Sequence, residues 1–232
     1  MIKTLILDFD GTIADTRSVI LKTMHQTIAE YGMPQPDDYT CAATIGLPLD
    51  EAFVRMLGIN RDEGLRCAGI YRRLFEVNNS EGAVTMFPNV ADTIRRMHAQ
   101  GLTITIASSR GHHSLSDFVS RFGLSSCFSA IVGADDVDNA KPDPEPVNRI
   151  LRQFGRDADT AMVVGDTAFD ITMGRRAGAH TCGVTYGNGT LRELEQSGAE
   201  CVIDDFSALP DVISRTPQNK SQMPNNMQMF AV

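Results

Sequence analysis

The sequence predicts an α/β fold: a doubly wound parallel sheet with a helical cap inserted after the first strand. Three observations carry this. Six short apolar segments recur along the chain, with helix-patterned stretches between most of them. Their runs, such as ITIA and AMVVG, are nearly continuous, as strands covered on both faces require. Between the first strand and Asn89 the period is helical throughout.

The elements follow in order. Residues 2–9 form the expected first strand. The interruption comes next. Ile20, Met24, Ile28 and Tyr31 step along one helical face, then Ala52, Phe53, Met56 and Leu57, then Leu65, Ala68, Tyr71, Leu74 and Phe75. Gly32 with Pro34, and Gly46 with Pro48, break these helices. An insertion at the carboxyl end of a sheet strand lies over the crevice where ligands of such folds bind, so it is placed to act as a lid. Further strands are expected over residues 102–108, 128–133, 161–165, 181–186 and 201–203. Helices are expected over 89–100, 114–122, 146–154, 168–177 and 191–196. The predicted organisation is a core of residues 1–14 and 82–214, a cap of residues 15–81, and a weakly ordered tail of residues 215–232.

Composition excludes several classes. At 25.3 kDa the folded chain exposes about 10,000 Å² against roughly 37,000 Å² unfolded, so a sizeable core forms. Twenty-nine acids against 21 bases give a net charge of −8, and no basic stretch offers a nucleic-acid footprint. There is no long uncharged apolar run, so no membrane partner is expected. Met1-Ile2-Lys3 leads directly into a strand, which reads as the absence of a secretory signal. The five cysteines, at 41, 67, 127, 182 and 201, contain no Cys-x-x-Cys and suggest reduced thiols in a cytoplasm.

Acids gather at strand ends. Asp8 and Asp10, two apart on an extended strand, project to the same face before Gly11 lets the chain turn. Two carboxylates so close repel unless a cation or a shared proton separates them. The fourth strand ends on Asp166, and Asp170 follows within one helical turn. All strands of a parallel sheet end on one edge, so these four acids converge there. Oxygen donors without nearby His or Cys suit Mg²⁺ rather than zinc. The second strand ends in Ser108, Ser109 and Arg110 at the same edge. Lys141 stands in a loop stiffened by Pro142, Pro144 and Pro146, where its amine can counter carboxylate repulsion and bind a phosphoryl oxygen.

The ordered series Asp8-x-Asp10-Gly11-Thr12, Ser108 after an apolar strand, Lys141-Pro142, and Gly165-Asp166-Thr167-x-x-Asp170 resembles the haloacid dehalogenase (HAD) superfamily of aspartate-nucleophile hydrolases. All four motifs stand in family order, and the helical insertion resembles the family's C1-type cap. The stretch from Asp8 to Thr16 and the Lys141-Pro-Asp-Pro-Glu-Pro run look most like phosphoglycolate phosphatases. Ser108 in place of the commoner Thr, and Arg110 where many have Lys, depart from that pattern, and the Ser108-Ser109 pair also resembles β-phosphoglucomutases.

The resemblance implies that Asp8 is the nucleophile, since a carboxylate attacks phosphorus without a base. Asp10 then serves as general acid and base. Mg²⁺ is held by the Asp8 carboxylate, the Asp10 backbone carbonyl and Asp166, with Asp170 supporting the metal site. Ser108 and Lys141 bind phosphoryl oxygens, and Thr12, Ser109 and Arg110 are further substrate contacts. The acid at Asp10 favours phosphatases and disfavours dehalogenation. The expected activity is Mg²⁺-dependent hydrolysis of a small phosphomonoester, phosphoglycolate first, through an aspartyl phosphate. An inorganic pyrophosphatase, a phosphosugar mutase and a non-enzymatic phospholigand-binding protein are the alternatives. Cap helices of this kind sometimes pair into homodimers, but nothing here requires it. His112 and His113 are assigned to the surface, and residues 45–48 with Asp50 and Glu51 to packing, although a closed lid brings the latter to substrate.

Overall fold

Strand β1 (Thr4–Leu7) is buried at every position and takes hydrogen-bonded neighbours on both sides. β4 (Thr103–Ala107) pairs with it from Thr4↔Thr103 to Leu7↔Ile106, and β6 (Ala161–Gly165) from Thr4↔Ala161 to Leu7↔Val164. β5 (Ala130–Val132) lies outside β4, while β7 (His180–Val184) and β8 (Cys201–Ile203) continue beyond β6. The six-stranded sheet runs β5-β4-β1-β6-β7-β8 with every pairing parallel. All six expected strands are present. The first is shorter than its apolar run, because Ile2 and Phe9 are buried without joining the ladder. The computed structural model describes residues 1–80 and 82–217. From residue 218 on, the expected tail lies outside the described residues, and Arg215 closes helix α10 (Leu209–Arg215).

Side-chain alternation along β1 feeds two apolar layers, Leu5 and Leu7 to one side and Ile6 to the other. Helices α5 (Val90–Ala99), through Ile94 and Met97, and α6 (His112–Arg121), through Leu115 and Phe118, fill the first layer. Helices α7 (Glu145–Phe154), through Val147 and Ile150, and α8 (Ala168–Arg176), through Met173, fill the second. The strand order reverses at β1, which is where a doubly wound sheet opens a crevice at its carboxyl edge.

Four helices occupy the interval after the first strand: α1 (Arg17–Tyr31), α2 (Asp38–Ala42), α3 (Leu49–Leu57) and α4 (Arg61–Asn78). α4 begins on a reciprocal cap in which the Asn60 side chain accepts the Glu63 N–H and Glu63 accepts the Asn60 N–H, each at 3.0 Å. It packs on both α1 and α3. Ile20, Met24, Phe53, Tyr71 and Phe75 from these helices join the same apolar cluster as Leu5 and Leu7. An antiparallel pair, β2 (Ala14–Asp15) and β3 (Thr85–Met86), ties together the two passages into and out of the helices. Strands this short carry no readable period, so sequence patterning missed them.

Among the described residues no helix is long and apolar enough to cross a membrane. All five cysteines are free and buried.

Candidate active site

The site begins where β1 ends. The Asp8 N–H still donates to the Val164 carbonyl at 2.9 Å, so the nucleophile candidate is fixed by the neighbouring strand. The chain then turns: the Ile13 and Ala14 N–H groups both donate to the Phe9 carbonyl at 3.0 Å. Gly11 makes this turn at φ +89, a left-handed conformation that disfavours a side chain. Space excludes one as well, since a Cβ on Gly11 would fall 2.0 Å from Asp166 Oδ2.

Asp166 follows β6 and Asp170 lies in the first turn of α8. The Asp170 Oδ2 atom accepts the Thr167 N–H at 3.0 Å and the Thr167 hydroxyl at 2.7 Å, which caps the helix and aims the other oxygen inward. Lys141 Nζ donates to that inward Oδ1 at 2.5 Å and to Asp8 Oδ1 at 2.6 Å. Asp8, Lys141, Asp166 and Asp170 are 3%, 2%, 0% and 1% exposed, so the group is almost dry. Carboxylate oxygens of Asp8, Asp166 and Asp170 all lie within 4.8 Å of one another.

Electrostatics in this cluster are strained by charge of one sign. Burial, then the Asp170 and Asp8 carboxylates, act on Lys141 in opposite directions, and the carboxylates win, holding its ammonium well above the usual lysine range. Burial pushes the Asp8 carboxyl well above its ordinary value, Lys141 pulls it back, and Asp170 and Asp166 raise it further. Burial and Asp170 push Asp166 from an ordinary 3.8 up to about 7, against the hydrogen bonds of Asn188. Three carboxylates facing one ammonium leave an excess of negative charge, and every candidate donor is a hard oxygen. That donor set fits a divalent cation of the Mg²⁺ kind.

Asp10 is set apart from the trio. Its two carboxylate oxygens accept Arg110 Nε at 3.1 Å and Arg110 Nη2 at 2.6 Å, a bidentate pair. The guanidinium also lies over Phe75 of α4 at 4.6 Å and Phe118 of α6 at 5.2 Å. Arg110, expected to contact substrate, is therefore turned onto Asp10. Thr12, expected in the same role, is fully buried, and its hydroxyl donates to Asp166 Oδ1 at 3.3 Å. Ser108 directly follows β4, where its N–H donates to the Val132 carbonyl at 3.0 Å, and lines the same cavity as Asp8. The Ser109 hydroxyl donates across to the Gly46 carbonyl at 2.6 Å, linking the sheet edge to the helical segment.

Asp8 and Asp10 form part of the lining of a cavity of about 680 Å³ between the sheet edge and the helices. Residues 45–48, Asp50 and Glu51, expected to serve packing, line this cavity, and so does His113. His112 instead holds Asp136, at 2.7 Å through Nδ1.

A family model described as haloacid dehalogenase-like hydrolase matches residues 5–184, which span the sheet edge just described. The chain belongs to the haloacid dehalogenase-like hydrolases. Among relatives of this HAD chain, a Dickeya dadantii protein named "Probable phosphatase IndB" is 33% identical over 205 residues, covering 87% of this chain and 89% of that protein. A pyrophosphatase PpaX of Oceanobacillus iheyensis is 27% identical, covering 91% and 97%. A phosphoglycolate phosphatase of Yersinia pestis is 28% identical, covering 95% and 97%. The solved structure of a hydrolase from Pseudomonas syringae has the same fold, with a TM-score of 0.82 at 22% identity over 93% of this chain and all of that one.

One residue of the HAD site escaped sequence reasoning. Asn188 donates to Asp166 Oδ2 through both its backbone N–H, at 2.7 Å, and its side chain, at 3.0 Å. Its own Oδ1 accepts Arg17 Nη1 at 3.2 Å. The nearby Gly187 and Gly189 were the available signal, because a Cβ at either would strike Asp166 at 2.3 and 2.2 Å.

Proposed function

We propose that this HAD hydrolase is a Mg²⁺-dependent phosphatase that cleaves a small phosphomonoester through a phosphorylated Asp8. The observation that carries this reading is the Lys141 ammonium held between Asp8 and Asp170, with Asp166 completing a buried acid trio beneath an open cavity. An Asp8 oxygen attacks phosphorus in line while the P–O bond to the alcohol breaks. Asp10 gives the departing oxygen its proton. It then takes a proton from the water that attacks the aspartyl phosphate, returning Asp8 and releasing phosphate. Both Asp10 oxygens accept from Arg110 before substrate binds, so Asp10 turns from the guanidinium and takes up a proton before it acts as the acid. Ser108 and Lys141 hold phosphoryl oxygens, and the Lys141 ammonium lowers the Asp8 carboxyl's pKa, offsetting part of the effect of burial. Asp8, Asp166, Asp170 and the Asp10 backbone are the groups to hold Mg²⁺, which when bound draws negative charge off the phosphoryl group. The buried, reduced cysteines support a cytoplasmic setting.

Phosphoglycolate and inorganic pyrophosphate, the substrates in the relatives' names, head the panel to be tested. Phosphate release is measured over a set of phosphorylated metabolites with Mg²⁺ and with a chelator. The expected result is Mg²⁺-dependent release from a phosphomonoester, with sugar 1-phosphates losing phosphate and not isomerising. Folded protein that releases phosphate from nothing in the panel overturns this reading in favour of a binding protein.

A further inference from the structure

The cavity has a character that glycolate does not match. Its volume of about 680 Å³ lies in the middle of the range that accepts drug-sized ligands, whereas glycolate adds only one methylene and a carboxylate to the phosphoryl group. The helical segment contributes Ile20, Met24, Ile45, Leu47 and Phe75 to this lining, an apolar face beside the hydroxyls of Thr44 and Tyr71. Charge points the same way. Beyond Asp8 and Asp10, the lining carries Asp50, Glu51, Glu76, Asp135 and Asp138 against Arg61 and Arg72, since Arg110 is already committed to Asp10. Arg61 lies 4.0 Å from Asp50 and is partly spent on it.

Resting on the phosphatase reading above, we infer that the substrate's alcohol is bulkier than glycolate, has an apolar face, and is neutral or cationic. The phosphoryl group finds its positive charge at the floor, from Lys141 and the cation. A second anion would find five carboxylates in the lining against two guanidiniums, Arg61 and Arg72, besides the one that Asp10 holds. Each wrong-signed group there raises the energy of the bound anion without touching the reacting phosphorus, so the discrimination falls on the alcohol alone. Glu51 and Glu76 are thereby specificity-determining residues.

A matched series tests this: phenyl phosphate, 4-(aminomethyl)phenyl phosphate and 4-carboxyphenyl phosphate, with phosphoglycolate alongside. All three aryl esters fill similar volume and differ in charge. The expected kcat/KM for the carboxylate is below that of phenyl phosphate by about tenfold at low ionic strength, with the gap narrowing as salt is added. The amine equals or exceeds phenyl phosphate, and phosphoglycolate falls below it. In the Glu51→Gln, Glu76→Gln double variant the penalty on the carboxylate shrinks. Equal kcat/KM for the carboxylate and phenyl esters, or phosphoglycolate above phenyl phosphate, overturns the inference and leaves the phosphatase intact. Release from none of the four by folded protein overturns both.

Discussion

At Asp166 burial and charge crowding act together on one carboxyl, and the consequence is measurable. Its pKa rises from 3.8 to about 7, so between those values the folded chain binds a proton that the unfolded chain does not. The penalty for ionising it is absent at low pH, grows as pH rises through that window, and is complete above about 7. A cation that binds the ionised carboxylates competes with this proton. Mg²⁺ is therefore predicted to raise Tm by several degrees at about pH 8 and by little at about pH 5.5, in thermal melts of metal-free protein. Equal shifts at both pH values contradict the assignment. The strand-end acids and Lys141 were legible in the sequence because each stands at a turn in a recognisable order. The Arg110–Asp10 pair was not. It joins residues 100 apart, and a guanidinium at that edge serves a substrate anion or a protein carboxylate equally well on sequence grounds.

Single elements place these groups, and the turn after β1 does so most tightly. Gly11 has positive φ and faces Asp166 at a distance no side chain tolerates. Gly11→Ala is predicted to destabilise the protein by about 2–3 kcal/mol in urea unfolding. Mg²⁺ affinity should fall by about tenfold or more, as the Asp166 carboxylate is pushed from its position. Gly69, in the exposed part of α4, is the control, because a Cβ there meets nothing within 4 Å and Gly69→Ala should be neutral or slightly stabilising. A small loss at Gly11 matching that at Gly69 contradicts the role given to the turn. The core strands were readable because buried parallel strands leave continuous apolar runs. The β2–β3 pair left no such trace, and its pairing is set by chain geometry between distant residues.

Across the whole molecule, one apolar cluster runs from Leu5 and Leu7 in the sheet into Ile20, Phe53 and Tyr71 in the helices. Sequence patterning separates the helical interval from the sheet by the change of period, but it carries no information on how much surface the two share. Urea unfolding followed by near- and far-ultraviolet circular dichroism is predicted to give coincident, single transitions, while two separated transitions would show helices that fold independently of the sheet. The same shared face positions the cavity over Asp8, so the chemistry depends on how the two layers meet. The central claim is that Asp8 itself carries the phosphoryl group. Mass spectrometry of protein quenched in acid during turnover with Mg²⁺ and a phosphomonoester tests it directly. Phosphate is expected on the peptide that contains Asp8, with neither adduct nor phosphate release from a folded Asp8→Asn variant. Phosphate on a different residue, or undiminished release by Asp8→Asn, contradicts it.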